Sequence, residues 1–379
     1  MKNAILYLRH TGSRFAIFFL IAAACLQAAC SLRPGAASSS SNAADSTAYL
    51  DTTVLSMAFV GDVMMGTNFP SNYLTPDSGR TLFSDCRDIL SSADIAIANL
   101  EGTCYDGTDG ELREMTNPNT YFIFRMPGYL ASRLVDAGID AVNCANNHSF
   151  DFGMTGRRHT LETLRKAGIQ ASGVRELAEG CILERRGVKV GYVSFAASCT
   201  QVLDMNDEAE IDSMLALYRP KCDVLVVGFH GGAEGTGAMH VPGQVEYYVG
   251  ENRADVKAFA HHCIDRGADL VIGHGPHVPR ALELYNGHII AYSLGNFCAP
   301  YRLGSAGAIG HAPLLTVRVK ASDGSFVSGQ IHSFRQVHGA GPRLDESRAA
   351  ANDIRRLTQE DFPSTPLSIT AEGLISLSK

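Results

Sequence analysis

The sequence predicts an α/β fold built on buried sheet that is largely parallel or mixed. Three observations predict it. Short apolar runs alternate with longer segments whose apolar residues recur at helical spacing. Many of those runs are apolar on successive residues, as in strands covered on both faces. Five of them end in a carboxylate, an amide or a histidine, mostly beside glycine, which is how an α/β sheet presents groups at the carboxyl ends of its strands.

The elements follow in chain order. "VLSMAFV" (54–60) predicts a strand. "LFSDCRDILSSA" (82–93) predicts a helix, followed by the strand "DIAIAN". "PGYLASRLVDAG" is a helix leading to "IDAVNCA". "TGRRHTLETLRKAG" is a further helix, with Thr155 as its N-cap and Gly168 as its stop. "VKVGYVSFA" and "CDVLVVGFH" are strands. "RADVKAFAHHCIDRG" is a helix before the strand "ADLVIGH", and "HIIAYSLGNF" and "LLTVRVKA" are later strands. Residues 339–379 read as a peripheral charged helix and a loose tail.

Ahead of these elements, Lys2, Arg9 and Arg14 precede the apolar run "FAIFFLIAAACLQAAC". That is a basic region, an apolar core and a small-residue cleavage zone, too short for a spanning helix. Residues 1–30 therefore read as a lipoprotein-type signal ending on Cys30, the lipidation site. Cys25 is the competing site, and an ordinary secretory signal or an uncleaved anchor is the plainer alternative. Residues 31–52, rich in Ser and Ala, form a flexible tether. The folded body is expected over 53–338, exported and hung from a membrane.

The chain has 379 residues, 45% hydrophobic and 19% charged, which is globular usage with room for one large domain. A net charge of -7 argues against a nucleic-acid partner. There are ten cysteines and none forms a C-x-x-C pair, so a zinc ribbon or redox motif is not expected. Outside the signal, the cysteines read as small buried hydrophobes.

The polar strand ends carry the functional reading. "AFV" runs into Asp62, "IAIA" into Asn99 and Glu101, and "AVNCA" into Asn146, Asn147 and His148. "LVVGF" runs into His230, and "LVIG" into His274 and His277. Singly, each has a plain explanation: a strand-end Asp caps the next helix, a loop Asn makes a turn, a histidine is a hydrogen-bonded scaffold residue. Together they form a mixed carboxylate, imidazole and carbonyl set suited to Mn, Fe or Zn, two ions in a hydrolytic site. A histidine outside the metal shell could handle a proton. Arg125 and Arg253 could face an anion. His240 lies in the loop "GTGAMHVPG" downstream of His230.

The segments "FVGDVMMG", "IANLEGT", "FRMPGYLASRLVDAGIDAVNCANNHSFDFG", "GFHGGAEG" and "ADLVIGHGPHVPRALELYNGHIIAYSLGNF" resemble, in order over about residues 55–335, the CapA family. These are capsule and poly-γ-glutamate synthesis proteins related to calcineurin-like metallophosphoesterases. The resemblance implies a four-layer αββα sandwich with the site above the sheets. It implies Asp62, Glu101, Asn147, His230, His274 and His277 as metal ligands, with Glu101 in the place of the bridging acid. It implies His148 as proton donor or charge stabiliser, with Asp151 orienting it or fixing the turn. Asn99, Arg125, His240 and Arg253 are then expected on the substrate side. The phosphoesterase pattern Asp-x-His is Asp62-Val63-Met64 here, Gly-Asp-x-x-Asp/Asn is Asn99-Leu100-Glu101, and Gly-His-x-His is His274-Gly275-Pro276-His277.

Three functions fit at this point: a metal-dependent hydrolase acting on a phosphorylated or anionic precursor of a surface polymer, a non-hydrolytic factor that binds and helps export or attach that polymer, and an amide hydrolase or transferase working on the polymer itself. The expected partners are the anionic polymer or a phosphorylated small molecule, the membrane through the lipid anchor, and membrane proteins of capsule synthesis.

Overall fold

The first strand of the body is β1 (Val54–Val63), and α1 (Arg87–Ser92), β2 (Ile95–Leu100), α2 (Ala131–Ala137), β3 (Ala141–Asn143), α3 (Gly153–Ala167) and β4 (Gln170–Ser172) follow it. A second run comprises β5 (Gly180–Arg185), β6 (Val188–Ala196), α4 (Glu208–Tyr218), β7 (Val224–His230), α5 (Val256–Asp265), β8 (Leu270–His274), β9 (Leu282–Tyr285) and β10 (His288–Ala291). The chain closes with β11 (Asn296–Cys298), β12 (His311–Lys320), β13 (Phe326–Val337), β14 (Gly341–Leu344), α6 (Ala349–Asp361), β15 (Leu367–Ile369) and β16 (Leu374–Leu377). This computed structural model describes residues 54–113, 122–197 and 199–378. The signal and tether expected over 1–52, and lipidation at Cys30, lie outside the described residues.

Two large sheets result. A ten-stranded sheet runs β15-β16-β13-β12-β1-β2-β3-β4, with β11 added beside β1 and β14 beside β13. A six-stranded sheet runs β9-β10-β8-β7-β6-β5. The strands that feed the site are parallel: β1 with β2 and β11, β2 with β3, and β7 with β8. Crossover helices are what parallel pairs require, and they account for the βα alternation.

Leu55, Met57 and Phe59 of β1 and Ile97 of β2 pack against Val190, Val226 and Ile272 of the smaller sheet, so the two sheets meet face to face. On the outer face of the larger sheet, Val60 and Ala98 pack with Leu90, Leu134 and Leu164 of α1, α2 and α3. On the outer face of the smaller sheet, Val193, Val227 and Val271 pack with Leu215 of α4 and Phe259 and Cys263 of α5. The layers are therefore helix, sheet, sheet, helix. Asp207 and Asp255 start α4 and α5 by accepting two backbone N–H bonds each.

Four expectations are corrected. The helix foreseen over 82–93 is confined to Arg87–Ser92. Upstream, the Asp77 carboxylate accepts from the backbone N–H of Gly79 and Thr81, and such local bonds hold the chain in turns. Thr155 does not cap α3. The turn after His148 runs straight into a helix that begins at Gly153, with no side-chain cap. Gly168 does stop that helix, at φ 81°.

"HIIAYSLGNF" is two strands in different sheets. β10 stays in the smaller sheet, the chain bends at Gly295 (φ 57°), and β11 pairs with β1 in the larger one. The stretch 339–379 is not peripheral. Ala351 and Ile354 of α6 enter the core between the sheets, Leu357 enters the outer core, and β16 pairs with β13. The charges that dominate this helix occupy one face, and the apolar stripe occupies the other.

The described cysteines are unpaired thiols, and burial pushes those of Cys86, Cys104, Cys144 and Cys181 up to about 12. No described helix is long and apolar enough to cross a membrane.

Candidate metal centre

Sheet register brings the first groups side by side. Asp62 is aligned with Asn99 on one neighbour and with Asn296 on the other, and His230 is aligned with His274. Glu101 follows β2 by one residue. Asn146, Asn147 and His148 follow β3, and His277 lies in the loop after β8. Two glycines make this possible. A Cβ on Gly61 would sit 1.9 Å from the Gly295 carbonyl oxygen, so only glycine lets β1 lie against the incoming bend. A Cβ on Gly275 would sit 2.7 Å from the Gly231 oxygen, so the two histidine-bearing loops also pack backbone to backbone.

Amides brace the acidic side. Asn99 Nδ2 donates to Asp62 Oδ1 at 2.8 Å and lies 3.3 Å from His230 Nδ1. Asn146 Nδ2 donates to Asn99 Oδ1 and to the Leu100 carbonyl oxygen, at 3.1 and 2.9 Å. The backbone N–H of His148 donates to Asn146 Oδ1 at 3.0 Å. His148 Nδ1 lies 2.9 Å from Asp151 Oδ2. That carboxylate oxygen also accepts from the Phe124 N–H at 2.8 Å. An ionised carboxylate only accepts, so the imidazole proton sits on Nδ1 and Nε2 is the working nitrogen. His148 Nε2 faces Glu101 Oε1 at 4.0 Å.

His277 stands between the two acids. Its Nδ1 is 3.0 Å from Asp62 Oδ2 and 3.0 Å from Asn296 Oδ1, and its Nε2 is 3.6 Å from Glu101 Oε1 and 3.8 Å from Glu234 Oε2. Its backbone lies in the left-handed region, φ 59°, which is uncommon outside glycine and marks a constrained position. Ligand atoms of Asp62, Glu101 and His277 all fall within 4.8 Å of one another.

The set fits a cation on an independent test. Both carboxylate oxygens of Glu101, Asn147 Oδ1, His230 Nε2 and His274 Nδ1 are buried without a hydrogen-bond partner. Each such group costs about 1–3 kcal/mol if left unsatisfied. The Glu101 carboxyl and Asn147 Oδ1 supply oxygens that a bound cation would satisfy, displacing the proton that burial favours on Glu101.

Burial raises the Glu101 carboxyl well above the ordinary glutamate range, with Asp62 and Glu234 adding to it against His277 and Arg253. Burial lowers His230 well below the histidine range, with Arg253 and the neighbouring histidines adding, and it lowers His274 to about 4 against the pull of Asp62. Burial acts downward on His277 too, but Glu101, Asp62 and Glu234 outweigh it and raise it to about 10. Two neutral imidazoles and one charged one result. Neutral imidazole is the form that binds metals.

A cavity of roughly 320 Å³ opens beside the cluster, lined in part by Asn147, His148, His277, Glu234 and Arg253. Arg253 is 1% exposed, pairs through one Nη with Glu234 Oε1 at 3.1 Å, and keeps Nε and its other Nη buried without hydrogen bonds. Three residues expected on the substrate side stand elsewhere. Arg125 is spent on the fold, donating to Asn68 Oδ1 and the Gly107 carbonyl and lying against the Phe69 and Phe152 rings. His240 Nδ1 pairs with Asp361 Oδ1 at 2.7 Å, and the residue does not line the cavity. Asn99 is fully buried and acts as a brace, not as a contact surface. Asp151 is also fully buried and holds His148 without reaching the cavity itself.

Asn296 and Glu234 were missed as individual site residues. The only signal was a polar residue beside glycine in "LGNF" and "GGAEG". Arg280 was missed as well. It is fully buried and forks onto Glu246 at 2.8 and 2.7 Å. It also donates to the Ala238 and Ala233 carbonyl oxygens, which pins the excursion carrying Glu234 and Arg253.

The family profile described as "Bacterial capsule synthesis protein PGA_cap" matches residues 56–301, well over half of the chain. The chain belongs to this family. The chain is 28% identical over 264 residues to the PGA biosynthesis protein CapA of Bacillus subtilis, covering 64% of this chain and 63% of that protein. It is 26% identical over 260 residues to the capsule biosynthesis protein CapA of Bacillus anthracis, covering 64% and 59%. The match thus spans less than two thirds of the length of these relatives. Among solved structures, a phosphatase of Mycoplasma pneumoniae aligns with TM-score 0.44 and 14% identity, over 74% of this chain and 93% of that one. Asp62, Glu101, Asn147, His148, His230, His274 and His277 all fall within the PGA_cap match.

Proposed function

We propose that this PGA_cap protein is a divalent-metal-dependent hydrolase acting on a phosphorylated or otherwise anionic precursor of a capsule or poly-γ-glutamate type polymer. It works outside the cytoplasm on a lipid tether attached at Cys30. The observation that carries this reading is the set of buried atoms without hydrogen-bond partners, both oxygens of Glu101, Asn147 Oδ1, His230 Nε2 and His274 Nδ1, with His230 Nε2 4.0 Å from Glu101 Oε1 and His274 Nδ1 3.6 Å from Asp62 Oδ1. Asp62, Glu101, Asn147, His230, His274 and His277 would hold the metal. When bound, one or two ions such as Mn, Fe or Zn supply a water activated near neutral pH and a clamp on the reacting oxygens.

The remaining residues act around that centre. Asp151 keeps the Nδ1 proton of His148 in place, so a protonated Nε2 can give its proton to a leaving oxygen. Arg253, with two donors unspent beside the cluster, steadies negative charge on a substrate oxygen. The Arg280–Glu246 fork positions the chain excursion that brings Arg253 there.

The test uses protein lacking residues 1–45, loaded with Mn or Zn. Metal analysis should find about two ions per chain, as two-metal sites hold. Screening against phosphomonoesters, phosphodiesters and poly-γ-glutamate should find turnover, and the substrate cut decides between ester and amide chemistry. His148→Ala should lower turnover by about 10²–10⁴ while metal content stays. No metal after loading sinks the reading. A metal-loaded protein that binds the polymer and cuts nothing would establish the export or attachment role instead. On the full chain, the mass of the mature N-terminal peptide reports whether Cys30 carries lipid.

A further inference from the structure

Three arginines line the cavity, and their donors are committed to different degrees. Arg113 sends Nη1 to the Asn147 carbonyl oxygen and Nη2 to the Phe122 carbonyl oxygen at 3.2 Å, with Nε 3.5 Å from Asp151. It is part of the scaffold that holds the His148 turn. Arg253 is half committed, to Glu234. Arg302 is different. Its guanidinium lies over the Phe122 ring at 4.6 Å and over the Tyr73 ring at 5.2 Å. Among the described residues it makes no hydrogen bond or ion pair, and its Nε is buried without a partner.

The backbone adds a second observation. Arg302 sits at φ 73°, in the left-handed region that side chains other than glycine enter under constraint. The Phe122 and Tyr73 rings flank the guanidinium without using any of its N–H groups. A guanidinium so held presents a rigid fork that matches the paired oxygens of a carboxylate or phosphate. Glu234, which shares the wall, is taken up by Arg253 and His277.

We infer that Arg302 is the specificity residue for a second anionic group on the substrate. The substrate class is then a molecule with one anion at the Asn147–His148–His277 end of the cavity and another, a carboxylate or a phosphate, at the Arg302 wall. This rests on the hydrolase reading for the identity of the first end, and on the ring contacts and unspent donors of Arg302 for the second.

The experiment uses ligands that cannot be hydrolysed, so it does not depend on turnover. Manganese-loaded full-length protein is titrated calorimetrically with alkylphosphonates, ω-phosphonoalkanoates and α,ω-bisphosphonates of matched chain lengths. At one chain length a dianion should bind at least about tenfold tighter than its alkylphosphonate, the scale of one charge-assisted fork. Whichever dianion series gains more names the remote group as carboxylate or phosphate. Arg302→Gln should erase the gain and leave alkylphosphonate affinity within about twofold. Phe122→Leu, which keeps the charge and removes one ring, should reduce the gain in part. Equal affinity of monoanions and dianions at every length, or a gain that survives in Arg302→Gln, overturns the inference. Absence of phosphonate binding altogether overturns the metal reading and this inference with it. A protein that cuts nothing and still shows an Arg302-dependent gain refutes the hydrolase alone.

Discussion

The two sheets contribute chemically different halves to one centre. The larger sheet delivers Asp62, Asn99, Glu101, Asn147 and His148, a half made mostly of acids and amides. The smaller sheet delivers His230, His274 and, from the loop beyond it, His277. The acidic half is braced internally, by Asn99 on Asp62 and Asn146 on Asn99. The imidazole half is held by backbone: β7 and β8 in register, and Gly231 against Gly275. Rigid oxygens on one side and buried, mostly neutral imidazoles on the other make a divided ligand set that a cation would join. The cost of building it is met by the surrounding core, because buried groups without partners destabilise a fold.

Removing the central acid breaks that division most severely. Glu101→Gln should abolish metal retention and turnover, as metal analysis and the phosphoester screen would read. In metal-free protein the same change removes the acid that most raises His277, so the loss of stability as pH rises through 10 should weaken in urea unfolding. A variant that still retains metal and gains stability on loading would show that Glu101 does not hold a cation.

The pH dependence of metal-free protein should divide the imidazole half in two. His274 is lowered from about 6.5 to about 4 in the fold, so its stabilising effect is present above 6.5 and is lost as pH falls toward 4. His230 is also lowered and acts in the same direction. His277 is raised to about 10, so its contribution is present below 6.5 and is lost as pH rises through 10. Urea midpoints should peak near neutrality and fall on both sides, at up to about 1.4 kcal/mol per pH unit per titrating group. A flat profile between pH 5 and 9 would contradict the burial assigned to these rings.

The smallest effect comes from a histidine that belongs to neither half. His240→Ala should leave metal content and turnover unchanged and move stability by about 0.5 kcal/mol or less, because the His240 side chain is itself largely exposed. A large loss of turnover would place the loop at 236–243 in the working site after all.

Much of this was readable because it is local. Strand ends followed by Asp62, Glu101, Asn147, His230 and His274 announce themselves through apolar runs and the residues that stop them. Arg125 and Arg253 looked alike in sequence, since each is an arginine near a glycine. Packing separated them, burying Arg253 beside Glu234 and laying Arg125 against Phe69 and Phe152. Thr155 was a sound cap by composition, but the turn after His148 had already started the helix. Asn296 was invisible as a site residue because the bend at Gly295 moves its strand from one sheet to the other, and no local pattern encodes which sheet a strand joins.

Local sequence carries the α/β class, the strands that lead to Asp62, Glu101, Asn147, His230 and His274, and those groups at their ends. These follow from hydrophobic periodicity and glycine placement, which act over a few residues. Only the tertiary structure decided which of those groups meet, which arginine keeps its donors unspent, and that the last forty residues complete the sandwich. Each of these depends on contacts between segments far apart in the chain, where burial and register do the selecting.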